Sequence, residues 1–205
     1  MLTTEDWTRL LLTGINQVSS MTKKNLPALQ DLYADLELAA KNTDLNILLN
    51  QKPKADWIKK NPFAGNSNYI PIEKIEYLLT SIYLEWKVEV KHWAIAANSI
   101  VVTVRLHVKS PITGEWDWQD GIGAAPIQTV KGAAATDFSQ VNTSAVQMAA
   151  PAAESYAVKD AAEKLGQIFG KDINRKDVIE VAPAMENKAA GLKLKLEQLK
   201  DNSHV

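Results

Sequence analysis

Val102-Thr103-Val104-Arg105-Leu106-His107-Val108 alternates apolar and polar side chains with a period of two, the signature of a strand with one face buried. The same period appears on either side of it. Upstream, Val88 and Val90 alternate with Lys87, Glu89 and Lys91, and Asn98-Ser99 supplies a turn. Downstream, Ser110-Pro111-Ile112-Thr113-Gly114 supplies a second turn, after which Trp116 and Trp118 alternate with Glu115, Asp117 and Gln119. The reading is a three-stranded antiparallel meander with one buried face, the two tryptophans belonging to the core.

Helical spacing flanks this sheet. Pro71 suits the first position of a helix, because its missing N–H is not needed there. Ile72, Ile75, Leu78, Leu79, Ile82 and Tyr83 form the buried stripe of that helix, which gives way to strand period at Trp86. Residues 124–150 are rich in alanine, threonine, serine and glutamine, with only Lys131 and Asp137 charged, and predict a long irregular connection. Pro151 then opens a closing helix with Ala153, Ala157, Val158, Ala161, Leu165, Ile168 and Phe169 on one face, stopped by Gly170. The fold class expected is α+β, a β-β-β-α core packed by helices.

Residues 1–50 predict an N-terminal helical extension for packing or oligomer contact. One helix covers 4–20, a break follows at 21–25, and a second helix starts near Pro27, with Asn42-Thr43-Asp44 capping a short apolar turn at 45–49. Residues 51–180 form the core. Residues 181–205 form an amphipathic tail, read as a short fraying helix. At 205 residues the chain holds one good-sized core with appendages. No apolar run approaches the roughly 18 residues of a membrane span, so no membrane role is expected. The absence of cysteine removes disulfides, thiolate chemistry and cysteine-ligated zinc, and fits a cytoplasmic protein.

The formal net charge is −1, so any polyanion must be met by cations gathered locally. One such gathering is Lys52, Lys54, Lys59 and Lys60, four cations in nine residues against a single Asp56, interleaved with Trp57 and followed by Phe63. Cations neutralise phosphates and flat apolar rings take unpaired bases, which suits single strands. The closing helix carries the second: Lys164 and Lys171 fall seven apart on one helical face with Gln167 between, and Arg175 and Lys176 follow. Glu163 opposes this stripe. Glu115, Asp117 and Asp120, with His107 in reach, are the one set of carboxylates that a divalent-metal nuclease would need. The segment from Gly166 to Asp172 has the wrong gap for a phosphate-cradling loop and no Ser or Thr after its lysine. The three histidines are far apart, so no zinc pattern exists. No catalytic residue, metal or cofactor is expected.

The order of helix, meander and sheet-packing helix, with certain words at its joints, resembles the Rad-fifty-two-like single-strand annealing proteins. These are the eukaryotic strand-annealing recombination mediators and their bacteriophage counterparts. The resemblance covers about residues 56–172. Its anchors are Tyr69-Ile70, the helix ending at Trp86, Trp118-Gln119-Asp120-Gly121-Ile122-Gly123, and Ala157-Val158-Lys159-Asp160-Ala161 through Phe169-Gly170. The resemblance implies an ATP-independent, non-enzymatic protein of DNA recombination and repair, assembled as a homo-oligomeric ring or helical filament. It would hold single-stranded DNA in a basic groove and anneal complementary strands, with a partner exonuclease or single-strand-binding protein as further partners. If the chain is phage-encoded, its compartment would be the cytoplasm of the bacterial host. Lys59 matches the family's cation before the Tyr-Ile motif, and Lys164 matches one on the closing helix. Glu163 and Gln167 stand where the family often has Lys or Arg, with Lys60, Lys171 and Arg175 as compensating cations. The expected DNA-binding set is therefore Lys52, Lys54, Lys59, Lys60, Tyr69, Lys164, Gln167, Lys171 and Arg175. The alternatives are a metal-dependent nuclease using Asp117 and Asp120, and a non-enzymatic interaction or assembly protein.

Overall fold

The computed structural model describes residues 36–62, 65–134, 136–177 and 182–202. The expected helix over 4–20, the break at 21–25 and the start near Pro27 lie outside the described residues, as do Phe63 and His204. The chain divides into two compact units, Met1–Ala39 and Ala40–Val205, and the sheet, its covering helices and the candidate site belong to the second.

The fold is α+β. Helix α1 (Leu36–Leu49) leads through a 3-10 turn at Ala55–Trp57 to a small ribbon of β1 (Lys59–Asn61) and β2 (Ser67–Tyr69). Helix α2 (Ile72–Ile82) follows, and then the meander of β3 (Trp86–Ala96), β4 (Ser99–Lys109) and β5 (Trp116–Pro126) in the order β3-β4-β5. Helix α3 (Ala145–Glu163) crosses β4 and β5, and α4 (Ala182–Asn202) closes the chain.

Strand β4 behaves as its alternation requires. Ile100, Val102, Val104, Leu106 and Val108 are buried, while the residues between them are only partly so. They share one core with Ile75, Leu78 and Leu79 of α2 and the alanine face of α3. Strand β5 pairs with β4 without a break from Ser99↔Pro126 to Lys109↔Trp116. That register puts Gly121, Gly123 and Ala125 on the covered face and turns Trp116, Trp118 and Ile122 to the open one, 44%, 48% and 62% exposed. The tryptophans are therefore not core residues. Side chain size explains it: α3 lies so close to β5 that only glycine and alanine fit beneath it.

The packing distance is set at two positions. A Cβ on Gly121 would overlap the Ala157 carbonyl oxygen, and one on Gly123 would overlap the Ala153 carbonyl and the Ala157 amide. Ala153, Ala157 and Ala161 are fully buried on the opposing helix face.

Four further expectations change. Residues 124–150 are not one long irregular connection. Strand β5 runs on to Pro126, Ile127 is buried with its N–H on the Asn98 carbonyl at 2.7 Å, and a bridge joins Thr129 to Val141. Helix α3 begins at Ala145, six residues before Pro151, because Ala145 and Ala149 extend the buried face of Ala153 and Ala157. Pro151 sits inside the helix, leaving the Gln147 carbonyl without its usual N–H partner. Asn42-Thr43-Asp44 lies within α1 rather than capping a turn, since Leu45 and Leu49 pack on the core and offset a propensity cost of ~0.5 kcal/mol per residue. The tail helix is long rather than short, spans 21 residues, and ties back through Lys193 to Asp44 at 3.1 Å.

Gly121→Ala and Gly123→Ala should each cost about 3 kcal/mol, at the upper end of overpacking penalties, because backbone atoms of α3 cannot yield. Urea unfolding of the two variants checks this. A loss below about 0.5 kcal/mol would mean that α3 rides higher on the sheet.

Candidate nucleic-acid interface

The two-stranded ribbon is held against the segment after α3. Asn68 donates its N–H to Asn174 Oδ1 at 2.7 Å, and Asn174 Nδ2 donates to the Asn68 carbonyl at 2.8 Å. An asparagine side chain thus imitates a neighbouring strand. Lys59 lies directly across the ribbon from Tyr69, so both side chains share one face, while Lys60 and Asn68 take the other. On the Tyr69 face, Lys159 of α3 sits over the Tyr69 ring at 5.1 Å and over Tyr156 at 4.4 Å.

Helix α3 stops at Glu163, and the chain breaks at Gly166 before a 3-10 turn at Gln167–Phe169. Gly166 is required by close approach, since a Cβ there would overlap the Leu49 carbonyl oxygen of α1. Gly170 then adopts φ 103°, a left-handed conformation suited to glycine. Because of this break Lys164 and Lys171 do not share a helical face, which corrects the stripe expected from their spacing.

Three adjoining cavities result. The first, about 440 Å³, lies between the ribbon and α3, with Tyr69, Tyr156, Lys159 and Glu163 in its walls. The second, about 400 Å³, adjoins it at Asp160 and Glu163 and reaches Lys164, Lys171 and Arg175. The third, about 570 Å³, shares Lys171, Asp172 and Arg175 with the second and adds Lys52, Gln167 and Lys176. Lys52, Tyr69, Lys164, Gln167, Lys171 and Arg175 thus line one run of cavities although 95 positions separate Tyr69 from Lys164.

The remaining expected cations stand apart from the cavity walls. Lys54 and Lys74 flank the Trp57 ring at 5.1 and 5.6 Å, and Trp57 meets Tyr77 edge-on at 5.9 Å. Lys59 and Lys60 are exposed on the ribbon. Lys164 is committed to structure: its Nζ donates to the Asp120 carbonyl and to Asp160 Oδ2 at 3.2 Å, while the same Asp160 oxygen accepts from the Ile122 N–H at 3.0 Å. Arg175 pairs with Asp172 at 2.9 Å.

Charge is unevenly divided. Four cations meet one acid around the third cavity, whereas the first holds Lys159 against Asp160 and Glu163. Although the Glu163 residue remains accessible, burial of its carboxyl and the nearby Asp160 push its pKa up to about 7, with Asp172 adding to the effect. Burial pushes the Lys159 amine down. Tyr156 and Lys159 were not singled out from sequence as binding residues. Their spacing on α3 was the available signal, but it cannot say which face meets the ribbon.

The nuclease carboxylates do not converge. Asp117 and Asp120 are three apart on β5 and so face opposite sides of the sheet. Both Asp120 oxygens accept from Arg105, at 2.7 and 2.9 Å, and this hydrogen bonding holds its carboxyl below the usual range. Among the described residues no group of three histidine, cysteine or acidic side chains is arranged to hold a metal ion. No helix there is long and apolar enough to cross a membrane. Comparison with known protein families finds no matching model, and no curated protein matches the sequence.

Because the folded Glu163 value of about 7 exceeds its ordinary 4.5, the folded chain holds a proton there that the unfolded chain releases between those values. That stabilisation is complete below pH 4.5 and is lost as pH rises through 7. Glu163→Gln should therefore flatten the decline in unfolding free energy between pH 5 and 8. An unaltered slope in urea titrations across that range would show an ordinary carboxyl.

Proposed function

We propose that this chain binds single-stranded DNA along the run of cavities and promotes annealing of complementary strands without ATP. The observation that carries the reading is the basic cavity, where Lys52, Lys171, Arg175 and Lys176 converge from distant parts of a chain whose formal net charge is −1. The resemblance to the Rad-fifty-two-like annealing proteins supports it through Tyr69-Ile70 at the ribbon and Ala157 to Gly170 around α3. On this reading the strand's phosphates follow Lys171 and Arg175, with Lys59 guiding it past the ribbon. Lys164 acts as a brace that holds α3 to β5 more than as a phosphate contact.

The physics asks little of the protein. Base pairing and stacking drive annealing, so the chain need only hold a strand extended and offset phosphate repulsion. Weak sites suffice when copies act together, and we take the working form to be a homo-oligomeric ring or filament. The nuclease reading loses its basis in the separation of Asp117 from Asp120.

Lys52→Ala and Lys171→Ala should each weaken oligonucleotide binding and lower the slope of log affinity against log salt by about 0.7, one phosphate contact on a single strand. Lys164→Ala should instead reduce thermal stability. Anisotropy titrations between low and moderate salt, with an ATP-free annealing assay, provide the check. Absence of binding at the lowest salt would overturn the proposal.

A further inference from the structure

The first cavity differs from the other two in a way that points to a different part of the same ligand. Two tyrosine rings stand in its walls, and Ile70, Ile75 and Phe169 give it an apolar floor. Its charged groups are one lysine and two acids. An anion would meet net repulsion there, whereas the third cavity, with four cations and one acid, attracts one. About 440 Å³ is within the range of about 300–1,000 Å³ typical of small-ligand sites. Flat walls, an apolar floor and a few polar groups at one side match a planar heterocycle with a polar edge.

Resting on the strand-binding reading above, we propose that the cavity between Tyr69 and Tyr156 receives one nucleobase of the bound strand, while the strand's phosphates continue past Lys171 and Arg175 of the adjoining cavities. Lys159 holds the slot in the free protein by lying over both rings. A base entering the slot takes over the ring contact, and the displaced ammonium moves outward toward the strand's backbone. Glu163 lies in the wall shared with the second cavity, so its carboxyl meets the base's polar edge. With burial and Asp160 pushing its pKa up, that carboxyl can donate in its protonated form as well as accept when ionised. The groove thereby divides its work: cations take phosphate without regard to sequence, and one aromatic slot takes a base.

The test compares the full 205-residue chain on two labelled oligonucleotides of equal length and charge, one with bases and one abasic throughout. The base-bearing strand should bind roughly tenfold more tightly, with the same salt slope for both. Tyr156→Ala should narrow that gap to less than about twofold, and Tyr156→Phe should preserve it, because the ring rather than the hydroxyl makes the contact. Equal affinity for both strands with the salt slope intact would overturn the base slot and leave strand binding standing. An equal drop for both strands in Tyr156→Ala would also overturn it, marking a structural role. Failure of both strands to bind at low salt would bring down the strand-binding reading and the slot with it.

Discussion

Everything in the second unit depends on how closely α3 lies on β5. Gly121 and Gly123 remove the side chains that would hold the helix away, and Ala153, Ala157 and Ala161 answer from the other side. Backbone then rests almost on backbone. At that distance Asp160 can accept the Ile122 N–H from the sheet, and Lys164 can reach the Asp120 carbonyl. These bonds fix the rotation and the end of the helix. They therefore decide that Tyr156, Lys159 and Glu163 face the ribbon. The cavities follow from the helix position.

The same close approach accounts for the open face of the sheet. With only glycine and alanine tolerated beneath α3, the tryptophans of β5 lie on the other side. There Arg105 stacks on Trp118 at 3.7 Å while its nitrogens bind Asp120, and Lys87 stands over Trp116 at 4.8 Å. Lys91 pairs with Glu89, and Lys109 with Glu85. Such exposed pairs contribute little stability each. Their consequence is electrostatic: Lys91, Arg105 and Lys109 are locally neutralised, whereas four cations and one acid line the third cavity.

Much of the fold was legible because periodicity reports burial directly. The alternation from Val102 to Val108 specified β4, and the stripe from Ile75 to Leu79 specified α2. The candidate site was legible in part. Lys52, Tyr69, Gln167, Lys171 and Arg175 were read from charge, ring type and resemblance, and all line the cavities. Tyr156 and Lys159 were missed as binding residues because a helix surface does not announce its partner. The shared helical face for Lys164 and Lys171 failed because Gly166 follows α1's backbone, a contact between segments more than a hundred residues apart. The alanine-rich segment misled for a related reason: small residues read as irregular, yet here they are what lets backbones touch.

By itself the sequence determined the α+β class, the meander with its strand order of turns, the helix before it and the alanine-faced helix after it. These are local matters, governed by side-chain period and turn chemistry. Tertiary structure alone decided which face of β5 is covered, where α3 begins and ends, and which charges share a cavity. Those outcomes depend on the distance between elements remote in sequence, and that distance is a property of packed backbones rather than of any one segment.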